Sequence, residues 1–73
     1  MPDRHPATTG LLRWFEYQHL PPHLQDVSVA FYKLAYELVL RLPDGPELTT
    51  ALRKLLESKD CAVRARIEAD DRA

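Results

Sequence analysis

Aromatic rings and cations are the side chains of this sequence with the means to act on a ligand. Trp14, Tyr17, Tyr32 and Tyr36 can stack on planar rings, and a base laid on an aromatic side chain gains about 1–3 kcal/mol. Lys33 stands beside two of them on an apolar helical face, where its ammonium either meets an anion or follows its stem out to water. Further along, Arg53, Lys54, Lys59, Arg64 and Arg66 are close enough in sequence to suggest an anion site. Much of that group has an ordinary account. Arg53 with Glu57, Asp60 with Arg64, Arg64 with Glu68 and Arg66 with Asp70 have the i, i+4 spacing of solvated helix pairs, each worth about 0.2–0.5 kcal/mol. Lys59 differs, because it interrupts an apolar stripe and has no acid four residues away, which favours a site or a subunit seam.

Catalytic chemistry finds little to build on. The sequence has no Gly-rich phosphate loop, nucleophile elbow or carboxylate-rich metal cluster, and Ser28 and Ser58 lie in helical patterns with no histidine at a useful spacing. His19 and His23 have the i, i+4 spacing of a helical ligand pair, but Pro21 and Pro22 break the helix that would align them. No metal and no cofactor is expected. Cys61, the single cysteine, excludes an intrachain disulfide and reads as a small packing residue beside Ala62 and Val63. The chain reads as a binding or assembly protein and not as an enzyme.

Three helices must position these groups. Residues 1–7 hold two prolines and mixed charge and are expected to fray. Thr8 or Thr9 would cap a short helix over residues 10–18, with Leu11, Leu12, Phe15 and Leu20 on its apolar side and Trp14 beside Phe15 in the core. Pro22 suits the first turn of a second helix, residues 22–42. Leu24, Val27, Phe31, Leu34, Leu38 and Leu42 form one stripe on it, and Val29, Tyr32, Tyr36, Val39 and Leu40 a neighbouring one. The turn at Leu42, Pro43, Asp44, Gly45 and Pro46, with Gly45 free to take a positive φ, leads to a third helix over residues 46–69. Leu48, Leu52, Leu55, Ala62 and Arg66 form its first stripe, with Ala51, Leu56, Val63 and Ile67 alongside, and residues 70–73 fray. The fold class is all-α: an antiparallel helical hairpin with a short N-terminal helix, as one domain of 73 residues.

Ten basic and eleven acidic residues leave a formal charge of −1, which argues against duplex nucleic acid as a partner. With no apolar leader and no run long enough to span a bilayer, the chain reads as soluble and intracellular, with no membrane partner. A chain this short buries only about 60% of the surface its unfolded form exposes. Lacking disulfide and metal, and apolar on more than one helical face, it is expected to form a homo-oligomer.

The run Phe15-Glu16-Tyr17-Gln18-His19-Leu20-Pro21-Pro22-His23-Leu24-Gln25-Asp26-Val27-Ser28, then Leu42-Pro43-Asp44-Gly45-Pro46-Glu47 and Ala51-Leu52-Arg53-Lys54-Leu55-Leu56-Glu57-Ser58-Lys59-Asp60, resembles small bacteriophage proteins. Their helical hairpin is similar to that of the phage anti-CBASS and anti-Thoeris sponges, which sequester the cyclic nucleotide signals of bacterial immunity without cleaving them. The resemblance covers residues 12–67. It implies a hexamer in the cytoplasm of the infected host, with separate sites for cyclic dinucleotides and cyclic trinucleotides. In those sponges an aromatic before the helix stacks on a base and a lysine about four turns later meets the phosphates. Tyr17 matches the first role; the spacing lands on Tyr32, with Lys33 the adjacent lysine, and His19 lies near Tyr17. Arg64 best matches the trinucleotide site, with Arg53 and Lys59 beside it. The rival reading is a small oligomerisation or partner-binding module with no nucleotide ligand. Single-stranded nucleic acid is a third possible target.

Overall fold

A computed structural model describes residues 4–72. Among them the chain is all-helical: α1 (Pro6–Leu12) runs into a 3-10 turn (Arg13–Phe15), followed by α2 (Pro22–Arg41) and α3 (Pro46–Arg72). The double proline and the Pro43–Pro46 turn act as expected, because a proline ring suits the first helical turn and offers no N–H for a preceding one. Leu42 leaves α2 with extended backbone, φ −115° and ψ 148°. Gly45 then opens α3 by accepting the Thr49 N–H at 3.1 Å. No glycine among the described residues has positive φ, so the left-handed freedom of Gly45 is not used: the extended Leu42 supplies the change of direction. No helix is long and apolar enough to cross a membrane among the described residues.

The N-terminal helix starts four residues earlier than the sequence suggests. Pro6 occupies its first turn and the His5 Nδ1 accepts the Ala7 N–H at 3.0 Å, so an imidazole caps the helix in place of Thr8 or Thr9. Thr8 is instead buried within the helix, and its hydroxyl donates to the Asp44 carboxylate at 3.1 Å. Residues 6 and 7 are therefore helical, while residues 1–3 of the segment expected to fray lie outside the described residues. At the other end α3 continues through Asp70 and Asp71 to Arg72, past the expected end at Ala69; residue 73 lies outside the described residues.

Leu12, Phe15, Ala35, Val39, Leu48 and Leu52 form the core, with Leu11, Phe31, Tyr32, Tyr36, Leu38, Leu55 and Leu56 packed around it. The buried line of α2 is Leu24, Ser28, Ala35 and Val39. It runs between the two stripes that size and hydrophobicity suggest, leaving Leu34 44% and Leu40 73% exposed. Small residues occupy this line because helices pack at 8–10 Å according to the side chains at the contact. Ser28 is fully buried and its hydroxyl has no partner among the described residues. An unpaired buried hydroxyl costs about 1–3 kcal/mol. Ser28→Ala should therefore raise stability by about 1 kcal/mol, read as a higher urea midpoint; a lower midpoint would show that the hydroxyl is hydrogen-bonded.

Asp44 ties the N-terminal segment to the hairpin turn. Its carboxylate accepts the His5 backbone N–H at 2.9 Å and the Thr8 hydroxyl, and lies 3.1 Å from the Arg4 guanidinium. Arg4 also donates to the Leu42 carbonyl at 2.7 Å. The His5 N–H above all, with Thr8 and Arg4, holds the Asp44 carboxyl below its ordinary pKa against a smaller opposing effect of burial. A carboxyl with a depressed folded pKa contributes stability that is complete above its unfolded value of about 4 and fades as the pH falls through the lower folded value. Asp44→Asn should lower the melting temperature at neutral pH, and the gap to wild type should close as the pH falls below about 4. A gap of constant size in thermal scans down to about pH 2 would separate Asp44 from the acid response.

Candidate functional site

The segment that enters α2 is held by one backbone bond and by two side chains, Gln25 and Lys59. The Leu20 N–H returns to the Tyr17 carbonyl at 3.0 Å. The Gln25 amide, one turn into α2, donates to the Leu20 carbonyl at 2.7 Å and the Gln18 carbonyl at 3.3 Å. From α3 the Lys59 ammonium donates to the Trp14 carbonyl at 3.1 Å. These bonds satisfy backbone acceptors of the 3-10 turn and of the connection to α2, and fix where the rings of the segment point.

Tyr17 thereby meets α2. Its ring lies 5.2 Å from that of Tyr32 at an interplanar angle of 72°, an edge-to-face contact, and Tyr32 lies 4.7 Å from Tyr36 at 42°. All three tyrosines are half-buried. Burial pushes the Tyr36 phenol up from its ordinary pKa, with Tyr32 and the Glu16 charge adding to the effect. Lys33 follows Tyr32 but projects about 100° further round the helix, where it is exposed and forms no ion pair among the described residues. Val29, Lys33, Tyr36 and Leu40 are spaced by four, three and four, so they share one face of α2. That face joins the tyrosine row to an unpaired ammonium and to the most exposed leucine of the helix.

His19 and Lys59 belong to a different place. With Arg13, Trp14, Glu16 and Leu20 they line a cleft of ≈ 410 Å³ on the side of the 3-10 turn. Lys59 is only 14% exposed, and besides the Trp14 carbonyl it lies 3.2 Å from the Asp60 carboxylate. Its position in the apolar stripe thus has a structural explanation: the stem crosses the hairpin and the ammonium props up the turn. Trp14, expected in the core with Phe15, is 57% exposed, because the tight 3-10 turn sends neighbouring side chains in different directions and only Phe15 points inward. The Arg13 guanidinium carbon sits 5.1 Å from the centre of the indole.

On α3, Arg53 and Arg64 are exposed, and their separation of eleven residues returns them to one outward face about 16 Å apart. Lys59 faces inward, so the three do not form one cluster. The Arg64 guanidinium approaches the Cys61 thiol at 3.4 Å. Cys61 is exposed and is not the packing residue that its apolar neighbours suggest. None of the four i, i+4 pairs expected along α3 forms among the described residues. Lys54 pairs with Glu57 at 3.6 Å, and Arg72 with Glu68 at 3.8 Å. Arg66 reaches across to α2, where it donates to the His23 carbonyl at 2.9 Å and to Asp26 at 3.0 Å; Asp70 meets His23 at 3.3 Å. Arg66 lies on the stripe that faces α2, so an interhelical partner is closer to hand than Asp70. The expected Glu37–Arg41 pair is present. Among the described residues no three His, Cys, Asp or Glu side chains gather in a metal-binding cluster. Comparison with protein families, curated proteins and solved structures finds no match to this chain.

Proposed function

We propose that this chain is a phage-encoded, non-enzymatic sponge that binds cyclic oligonucleotides at contacts between subunits of a homo-oligomer, a hexamer, in the infected bacterial cytoplasm. The observation that carries this reading is the edge-to-face pair of Tyr17 and Tyr32 beside the unpaired Lys33 on α2. A half-buried tyrosine braced by a second ring is preorganised for stacking, and an exposed ammonium on the adjoining face suits a phosphate. A cyclic dinucleotide has two bases, two phosphates and near two-fold symmetry. Two copies of the Val29, Lys33, Tyr36 and Leu40 face brought together about a two-fold axis would present matching groups to each half of it. The exposed Leu40 and Leu34 supply apolar surface for such contacts. Arg64, with Arg53 on the same face, is the candidate for a cyclic trinucleotide at a three-fold axis, where three arginines repel until three phosphates neutralise them.

Calorimetric titration with a panel of cyclic dinucleotides and trinucleotides tests this directly, with the nucleotide recovered afterwards and checked for cleavage. Saturable binding with intact ligand supports a sponge. Silence across the panel removes it in favour of the second reading, an assembly or partner-binding module without a nucleotide ligand. The leucines left exposed on both flanks of α2 favour that alternative.

A further inference from the structure

The cleft beside the 3-10 turn has the parts of a nucleotide site that the tyrosine row does not use. Its wall is the indole of Trp14, more than half exposed although it is the largest ring in the chain. Arg13 and Glu16, opposite charges three residues apart, also line it, and neither forms a salt bridge among the described residues. Glu16 closes the 3-10 turn with extended backbone, outside the helical i, i+3 geometry that would face it to Arg13. Here the guanidinium lies over the indole instead, and the carboxylate stands alone. Lys59 lines the cleft with its ammonium already committed to the Trp14 carbonyl and Asp60. A volume of ≈ 410 Å³ falls within the range of about 300–1,000 Å³ typical of small-molecule sites.

We propose that this cleft binds a purine nucleotide, guanine in preference to adenine, through residues separate from Tyr17, Tyr32 and Lys33. Trp14 supplies the stacking surface. The Glu16 carboxylate accepts hydrogen bonds and donates none. Guanine offers it two parallel donors, N1–H and the N2 amino group, whereas adenine sets the N1 lone pair against it. Arg13 carries five N–H donors in a fork that matches a phosphate. A base that takes the place of the Arg13 guanidinium on the indole frees that fork for the phosphate, and His19 lines the same cleft.

Trp14 is the single tryptophan of the chain, so its fluorescence reports on the cleft without a label. Guanosine 5′-monophosphate should quench it saturably, and adenosine 5′-monophosphate should bind about tenfold or more weakly. Glu16→Gln should abolish that preference, and Arg13→Gln should weaken the guanine nucleotide about three- to tenfold while leaving guanosine unchanged. Both side chains are exposed, so an unchanged melting temperature will separate lost binding from lost fold. Absence of saturable quenching at millimolar nucleotide, or equal affinity for the two purines, overturns the proposal. So does emission that changes with protein concentration but not with nucleotide, which would make Trp14 a subunit contact. Lys33→Ala should leave this quenching intact, so failure here and failure of the cyclic-nucleotide reading are distinguishable.

Discussion

Replacing Phe15 with alanine should leave the protein close to unfolded at room temperature. Phe15 is fully buried and is the largest side chain in the core, where α1, α2 and α3 meet through Leu12, Ala35, Val39, Leu48 and Leu52. Removing a buried phenyl costs about 3–5 kcal/mol, a sum of lost transfer energy and the cavity left behind. A domain of this size has about 4–11 kcal/mol of stability in total. With a urea slope of about 1 kcal/mol/M for a small chain, the midpoint should fall by about 3 M or more, if a folded baseline survives at all. Trp14→Ala provides the contrast, since the neighbouring indole is mostly in water and its loss should move the midpoint little. Equal shifts for the two variants in urea melts followed by far-UV circular dichroism would mean that Phe15 does not hold the three helices together.

Lys33→Ala should abolish most cyclic dinucleotide binding while leaving the fold intact. Lys33 is exposed and unpaired among the described residues, so its truncation removes no core contact. Each hydrogen bond to a charged group contributes about 1.5–3 kcal/mol. In a two-fold site a single substitution removes two such groups, so the loss should be about a hundredfold or more in affinity. Tyr17→Ala should also weaken binding by about 1–3 kcal/mol per stacked base. Unlike the lysine change, it should cost stability as well, about 0.5–1.5 kcal/mol from the lost contact with Tyr32. Titration calorimetry beside thermal melts reads both effects. If wild type binds and Lys33→Ala binds equally well, the phosphates are held elsewhere and the proposed geometry is wrong.

The start and end of α2 and the start of α3 were legible because prolines write those boundaries into the sequence. The interior of α2 was not. Hydrophobicity singles out the large residues Leu34 and Leu40, whereas the helix buries the small Ser28 and Ala35. A propensity pattern carries no information on where the partner helix passes closest. His5 was invisible as a cap because imidazole is not among the preferred capping groups. The partners of Lys59 and Arg66 lie 45 and 43 residues away and, for Arg66, also in α2 at Asp26. Local spacing cannot anticipate such contacts. Among the candidate site residues, sequence order placed Tyr17 near the helix carrying Lys33, and Tyr17 does pack on that helix, at Tyr32. It could not divide the seven candidates between places: His19 and Lys59 line the cleft beside the 3-10 turn, a turn set by Phe15 finding the core, while Arg53 and Arg64 stand on the outward face of α3.

The fastening at Asp44 bears on the order in which the chain assembles. Its contacts with Arg4, His5 and Thr8 join positions 36 to 40 residues apart, while α2 and α3 are neighbours across a short turn. Closing a long loop costs more chain entropy than closing a short one, so the two long helices can zip together before the N-terminal segment docks. The knot is then the last part to close and the first to open. Asp44→Asn should accordingly speed unfolding and leave the refolding rate near that of wild type. In stopped-flow traces, a matching slowdown in refolding would place the knot inside the folding nucleus. A protein fastened late in this way presents its hairpin faces to other chains before α1 and the Arg4–His5 segment are secured.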